Sequence, residues 1–246
     1  VLVVDQTCGD QSVVGAGADA QTFLHMLAQA LQDHPDAQVW VKTHPDVSAR
    51  QRQGYLSQLP PALRHRVQLL TEALCPMTLL AQMDEVYVVS SHMGFEALLL
   101  GRRVHCFGAA WYAGWGLTVD HFQRGAILGE RRACHRSVAQ LFTAAYLHYS
   151  HYLHPLTRQP CDLSTLLRVL QVQRHWNDQW RGAVYFLDFS RWKQRFLRAY
   201  FALPSVQVHF VSSAQRPPAE LPQPVQLVAW GRRELPDAWL QVPHRL

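Results

Sequence analysis

The chain has 246 residues, 48% of them apolar and 17% charged, a balance that excludes wholesale disorder and leaves room for one large domain or two modest ones. No stretch approaches the roughly 20 apolar residues of a membrane-spanning helix; the uncharged run Val104 to Val119 is broken by Gly108, Gly114 and Gly116. The net charge is +5, unevenly spread: residues 1–175 hold 14 basic and 13 acidic side chains, residues 176–246 hold 9 and 5.

The arginine pairs at 102–103, 131–132 and 232–233 are isolated and belong to no reading motif. Nucleic acid is therefore not an expected partner, and a mildly basic face toward an anionic substrate or membrane surface is expected instead. The five cysteines, Cys8, Cys75, Cys106, Cys134 and Cys161, have no metal-binding spacing, which implies reduced thiols and a cytoplasmic setting. No secretory signal is legible around the opening VLVV run.

The apolar runs VLVV (1–4), VWVK (39–42), VQLL (67–70), VYVV (86–89) and VHCF (104–107) lack polar alternation and predict parallel strands covered on both faces. Between the first two, Ala20, Phe23, Leu24, Leu27, Ala30 and Leu31 recur at helical spacing behind a capping Asp19. Helices around 77–83 and 94–100 fill later gaps. The pattern predicts a doubly wound α/β domain of about five strands, with ligands at their carboxyl ends.

After residue 118 the strand signal gives way to helices at 137–152 and 163–176. Strand–helix–strand order restarts with AVYFLDF (183–189), a helix from Ser190 to about Phe201, VQVHFV (206–211), a proline-rich turn at 217–224 and VQLVAW (225–230). This predicts a second Rossmann-like α/β domain and a boundary near residue 178, dividing the chain into 1–178 and 179–246.

Three polar segments follow predicted strands. The first, Asp5 to Ser12, carries two carboxylates and a hydroxyl, and also suits a plain strand-to-helix turn. In the second, Lys42-Thr43-His44-Pro45-Asp46, the proline holds His44 extended, so its imidazole can be aimed past the strand end toward an anion. The third, Ser90 to Glu96, places hydroxyls before a helix opened by Gly94, a ready phosphate site with Glu96 able to accept from ribose hydroxyls. A simple N-cap and its capping partner explain the same residues. Together the three segments suit a nucleotide-linked donor.

Gly15-Ala16-Gly17-Ala18-Asp19-Ala20 fits GxGxxA but starts too far beyond the first strand for dinucleotide binding. His148, His151 and His154 lack a carboxylate or cysteine partner, so no metal is expected. No nucleophile elbow, P-loop or DxD clamp occurs.

VLVVDQTCGDQSV, VWVKTHPDV, YVVSSHMGFEALLLGRRVHCFG and WYAGWGLT (111–118) resemble the bacterial capsule polysaccharide β-Kdo transferases of the KpsC/LipA type, built from tandem GT-B modules. The likeness continues through LFTAAYLHYSHYLHP and RQPCDL, and FSRWKQRFLRAYF with VAWGRR resembles the start of a second module. The resemblance implies that 1–178 is the nucleotide-sugar-binding half of one module with its terminal helices, and 179–246 the beginning of the next. It implies retaining, metal-independent transfer of Kdo from CMP-Kdo, with no cofactor, onto a phosphatidylglycerol-linked Kdo chain, among other capsule assembly and export proteins at the inner face of the inner membrane.

It further implies Asp10 as nucleophile and His44 as partner of the CMP phosphate, with Asp5 structural. The implied CMP site is Lys42, His44, Pro45, Ser90, Ser91, Gly94 and Glu96, and the donor pocket or hinge is Ser12, Trp111, Tyr112, Trp115 and Gly116. Family members commonly have proline where this chain has Ala110. Alternative readings are a non-catalytic capsule assembly protein that binds nucleotide or lipid, and another CMP-sugar transferase of sialyltransferase type.

Overall fold

Valine-rich runs without polar alternation leave no face for water, and the inner strands are covered on both sides, whereas Gln68 and Leu69 on the edge strand Val67–Leu70 are exposed. The strands are β1 (Leu2–Val4), β2 (Val39–Lys42), β3 (Val67–Leu70), β4 (Glu85–Val88), β5 (Arg103–Cys106) and β6 (Val119–Asp120). They form one parallel sheet in the order β3-β2-β1-β4-β5-β6. These coordinates are a computed structural model, which describes the chain apart from residues 45–46, 48–51, 58, 60–62, 64, 123–128, 130–133, 219, 222–224, 232–233 and 243–246. The described residues fall into two compact units, Val1–Tyr149 and Ser150–Leu246.

In the first unit the five expected strands are present, and the two-residue β6, too short to leave a sequence signal, extends the edge beyond β5. Helix Ala20–Asp33 is closed by a capping box between Asp19 and Thr22 and lays Phe23, Met26, Leu27 and Ala30 over Val3, Val41 and Tyr87. The other face is covered by Leu80, Phe95, Leu98 and Tyr112 over Leu2, Val4, Val86 and Val88. Successive crossovers run from β1 toward β3 and from β4 toward β6, so the chain departs in opposite directions between neighbouring β1 and β4. A crevice opens at that point, at the carboxyl ends of the strands.

The loop leaving β1 is fixed from behind by Asp5, which is 2% exposed. Its Oδ1 accepts from the backbone N–H groups of Gln6 at 2.9 Å and Leu56 at 3.1 Å. Thr7 pairs antiparallel with Gly54, which stands so close that a Cβ there would lie 2.1 Å from Asp5 Oδ2. Only glycine permits this approach. Gly15 and Gly17 belong to the end of helix Gln11–Gly15 and the turn after it, with Gly17 at φ +69°, rather than to a first strand-to-helix turn.

In the second unit a short hairpin, β7 (Tyr152–Leu153) with β8 (Pro160–Cys161), precedes helix Leu163–Gln179. Then β9 (Gly182–Leu187), helix Arg191–Tyr200, β10 (Val206–Val211) and β11 (Val225–Ala229) build a parallel sheet in the order β10-β9-β11. The units divide earlier than the expected boundary near residue 178. Helix Leu163–Gln179 packs Trp176, and the adjoining Trp180, into the second core beside Val184, Phe186 and Phe201. Asn177 Oδ1 also accepts from the Ser205 N–H at 3.1 Å, so the helix goes with the second sheet.

The single helix expected over 137–152 is instead an α-helix, Val138–Phe142, continued by a π-helix, Thr143–Tyr149, and then β7. His154 Nδ1 accepts from the N–H groups of Leu156 and Thr157, each at 3.3 Å, which closes a turn. Among the described residues no group of three His, Cys, Asp or Glu is placed to hold a metal, and no helix is long and apolar enough to cross a membrane.

Burial raises the Asp5 carboxyl from 3.8 to about 6, against the backbone hydrogen bonds it accepts. The folded state thus holds this proton more tightly than the unfolded chain. The stability it contributes is full below pH 3.8 and is lost as the pH rises through 6. Between pH 4 and 7.5, Asp5→Asn is expected to gain about 2–3 kcal/mol relative to the wild type, read from denaturant melts at each pH.

Candidate functional site

A cleft of about 580 Å³ lies at the carboxyl ends of β1, β2 and β4. Asp10 and Ser12 face it from the first loop, Lys42, Thr43 and His44 from the end of β2, and Ser90, Ser91, His92 and Glu96 from the start of helix Met93–Leu99, with Trp111 beside them. The three polar segments picked out in the sequence therefore converge. Pro45 lies outside the described residues.

The floor of the cleft is organised by Gln6, which is 4% exposed. Its Nε2 lies 3.1 Å from Asp10 Oδ2, 3.2 Å from Ser12 Oγ and 3.1 Å from Ser90 Oγ, and its Oε1 accepts from the Ser90 N–H at 3.1 Å. One amide thus joins the β1 and β4 loops. Ser12 Oγ and Ser90 Oγ are themselves 3.1 Å apart.

Asp10 is the N-cap of helix Gln11–Gly15, and its Oδ1 accepts from the Ser12 N–H at 2.8 Å. Partial desolvation pushes its carboxyl up, but hydrogen bonds from Ser12 and Gln6 and the nearby His44 outweigh this and hold it below the ordinary value. Asp10 is therefore ionised and directionally fixed at neutral pH.

On the β2 side, Thr43 donates through Oγ1 to the Leu70 carbonyl at 3.0 Å, tying the strand end to β3. Lys42 is buried, its ammonium donating to the Thr43 carbonyl at 2.9 Å, and desolvation lowers its pKa. His44 continues from this anchored pair into the cleft.

On the β4 side, Ser91 Oγ accepts from the Met93 N–H at 3.3 Å, and the Ser91 carbonyl accepts from the Tyr112 hydroxyl. Gly94 is required by that tyrosine: a Cβ would lie 2.1 Å from its hydroxyl oxygen and 2.7 Å from the ring. Glu96 stands in the first helical turn and reaches the cleft. Burial pushes the Tyr112 phenol far above its ordinary range.

Four residues expected at the site do not line the cleft. Gly94 and Tyr112 support Ser91 from the core side. Trp115 donates its indole N–H to the Trp111 carbonyl at 3.0 Å, and its own carbonyl accepts from the Arg136 N–H at 3.0 Å. Gly116, at φ +80°, leaves room for His135, whose Nδ1 would be 2.1 Å from a Cβ there. The WYAGWG segment is thus mostly a brace behind the site, with Trp111 alone reaching the cleft.

Gln6, Thr43 and His92 have no role that the sequence alone assigns. His92 Nε2 lies 2.8 Å from the Tyr146 hydroxyl on the π-helix and its ring stacks near Trp111. The only sequence signal for these residues is their place inside polar segments after strands. An ionised carboxylate, an imidazole, three hydroxyls and a helix start on one sheet edge can hold a phosphate ester and present a nucleophile to the group it carries.

Residues 1–152 match a family model described as capsule polysaccharide biosynthesis protein. Over 233 residues the chain is 43% identical to the capsule polysaccharide modification protein LipA of Neisseria meningitidis, covering 94% of this chain and 33% of that protein. It is 34% identical over 152 residues to the lipopolysaccharide-processing protein LpsZ of Rhizobium meliloti, covering 62% of this chain and 33% of that protein. The chain spans about a third of the length of these curated relatives.

Among solved structures it is similar to Thermosulfurimonas dismutans KpsC, titled a beta Kdo 2,4 transferase, with a TM-score of 0.63 at 43% identity over 69% of this chain and 50% of that one. It is also similar to the KpsC structure titled a beta Kdo 2,7 transferase, with a TM-score of 0.56 at 26% identity over 70% of this chain and 54% of that one. By its family match over the unit that carries the cleft, the chain belongs to the capsule polysaccharide biosynthesis protein family.

Proposed function

We propose that this chain carries the nucleotide-sugar half of a retaining β-Kdo glycosyltransferase that moves Kdo from CMP-Kdo onto a lipid-linked Kdo chain during capsule assembly, as a peripheral protein at the inner face of the inner membrane. The observation that carries the reading is the ionised Asp10 facing His44 across a cleft rimmed by Ser12, Ser90 and Ser91. The similarity to two proteins titled as β-Kdo transferases supplies the sugar.

In the first step an Asp10 oxygen attacks the anomeric carbon while the bond to the CMP phosphate breaks, and the electron pair leaves on a phosphate oxygen. His44 and the serine hydroxyls donate to that oxygen as its charge grows, and Glu96 accepts from the ribose. In the second step an acceptor hydroxyl displaces the Asp10 carboxylate, releasing its proton to solvent as the new glycosidic bond forms, and two inversions give retention. The depressed pKa serves this second displacement, because a weakly basic carboxylate departs readily.

In the complete protein, Asp10→Asn is expected to lower transfer by at least about 10³-fold while leaving CMP affinity within a few-fold. Intact-mass spectrometry after incubation with CMP-Kdo should show one added Kdo on the wild type and none on the variant. Full turnover by Asp10→Asn would remove the nucleophile assignment. His44→Ala should lower kcat/KM by about 10²–10³-fold, the range for losing one donor to a developing oxyanion.

A further inference from the structure

Helix Arg191–Tyr200, RWKQRFLRAY, is amphipathic in an unusual sense. Its inward side is modest: Leu197 packs on the sheet with Phe201 beyond the helix end, and Gln194 donates through Nε2 to the Phe189 carbonyl at 2.7 Å. The larger aromatic residues are exposed, although Tyr200 also meets the Trp176 ring edge-on at 5.5 Å. Trp192, Phe196 and Tyr200, spaced four apart on one line, are 77%, 68% and 57% exposed. With Arg195 and Ala199 they line an open groove of about 570 Å³.

Cations share the helix with that stripe, and Arg195 shares its groove. Lys193 is held over the Trp230 ring at 3.3 Å, and the Arg198 guanidinium stands 4.8 Å over the Phe210 ring. Arg191 and Arg195 are exposed. The helix carries four cations and no acidic residue, within a segment where 9 basic side chains face 5 acidic ones.

We propose that this helix is a membrane-surface element that lays Trp192, Phe196 and Tyr200 into the headgroup region of an anionic phospholipid bilayer. Exposed aromatics on a helix whose only charged side chains are cations fit such a surface, where rings settle at the acyl boundary and exposed basic side chains such as Arg191 and Arg195 meet lipid phosphates. Phe196, at the centre of the stripe, has no polar group to offer an acidic protein. The inference deepens the reading of a lipid-borne acceptor and rests on it for the choice of a bilayer over a protein partner.

The test is flotation of the complete protein with phosphatidylglycerol–phosphatidylcholine vesicles and with phosphatidylcholine vesicles alone. Expected are binding to the anionic vesicles, at least about 10-fold weaker partition for Trp192→Ser/Phe196→Ser, and a loss of about 5-fold per arginine for Arg191→Gln/Arg195→Gln. Transfer onto a soluble Kdo-terminated acceptor, measured in parallel, should be unchanged in both variants. Absence of that transfer in the wild type would count against the transferase reading and leave the vesicle result standing.

Failure of the wild type to float with anionic vesicles, equal flotation of both variants, or binding to an acidic protein or glycan in place of vesicles would overturn the proposal. The arginine variant keeps every aromatic ring in place, so it decides the matter if the aromatic variant does not fold.

Discussion

The arrangement depends on the reversal of chain direction between β1 and β4 and on the buried amide of Gln6 that spans it. Neighbouring parallel strands that send their loops to opposite sides leave a gap at their carboxyl ends. Here Gln6 crosses the gap, joining Asp10 and Ser12 on one loop to Ser90 on the other. Asp5 behind it and Tyr112 opposite hold the two loops to the body of the unit. A buried amide used in this way is a positioning device, and its hydrogen bonds are met by the loops it joins.

Much of this fold is legible in the sequence because its information is local. Continuous apolar runs mark the strands, Asp19 marks a helix start, and polar segments directly after strands mark the edge where ligands gather. What the sequence hides is what depends on contacts between distant residues. Gln6 acquires meaning only when Ser90, 84 positions away, becomes its neighbour. Gly94 reads as the opening of a helix at a phosphate site, whereas its missing Cβ makes room for the Tyr112 hydroxyl. The aromatic WYAGWG segment reads equally as donor pocket or hinge and as core, and contacts alone show that Tyr112 is fully buried while Trp115 faces its own turn.

The same distinction explains the domain boundary. A helix that follows a turn looks like the end of what precedes it, and Leu163–Gln179 has no buried residue of its own to say otherwise. Its allegiance is set by its last turn and the residue after it, where Trp176 and Trp180 meet Phe201. Two aromatic side chains near the junction decide which sheet the helix serves.

The Gln6 amide has two hydrogens and three acceptors within reach, Asp10 Oδ2, Ser12 Oγ and Ser90 Oγ. At most two can be served by separate hydrogens at once, and the two hydroxyls, 3.1 Å apart, can donate to one another in either order. Several proton arrangements therefore share one set of heavy-atom positions. An arriving anion can select the arrangement in which both hydroxyls turn toward it, by rotating O–H bonds alone. The heavy atoms of the cleft can stay in place throughout, with only the orientation of its dipoles left for the ligand to choose.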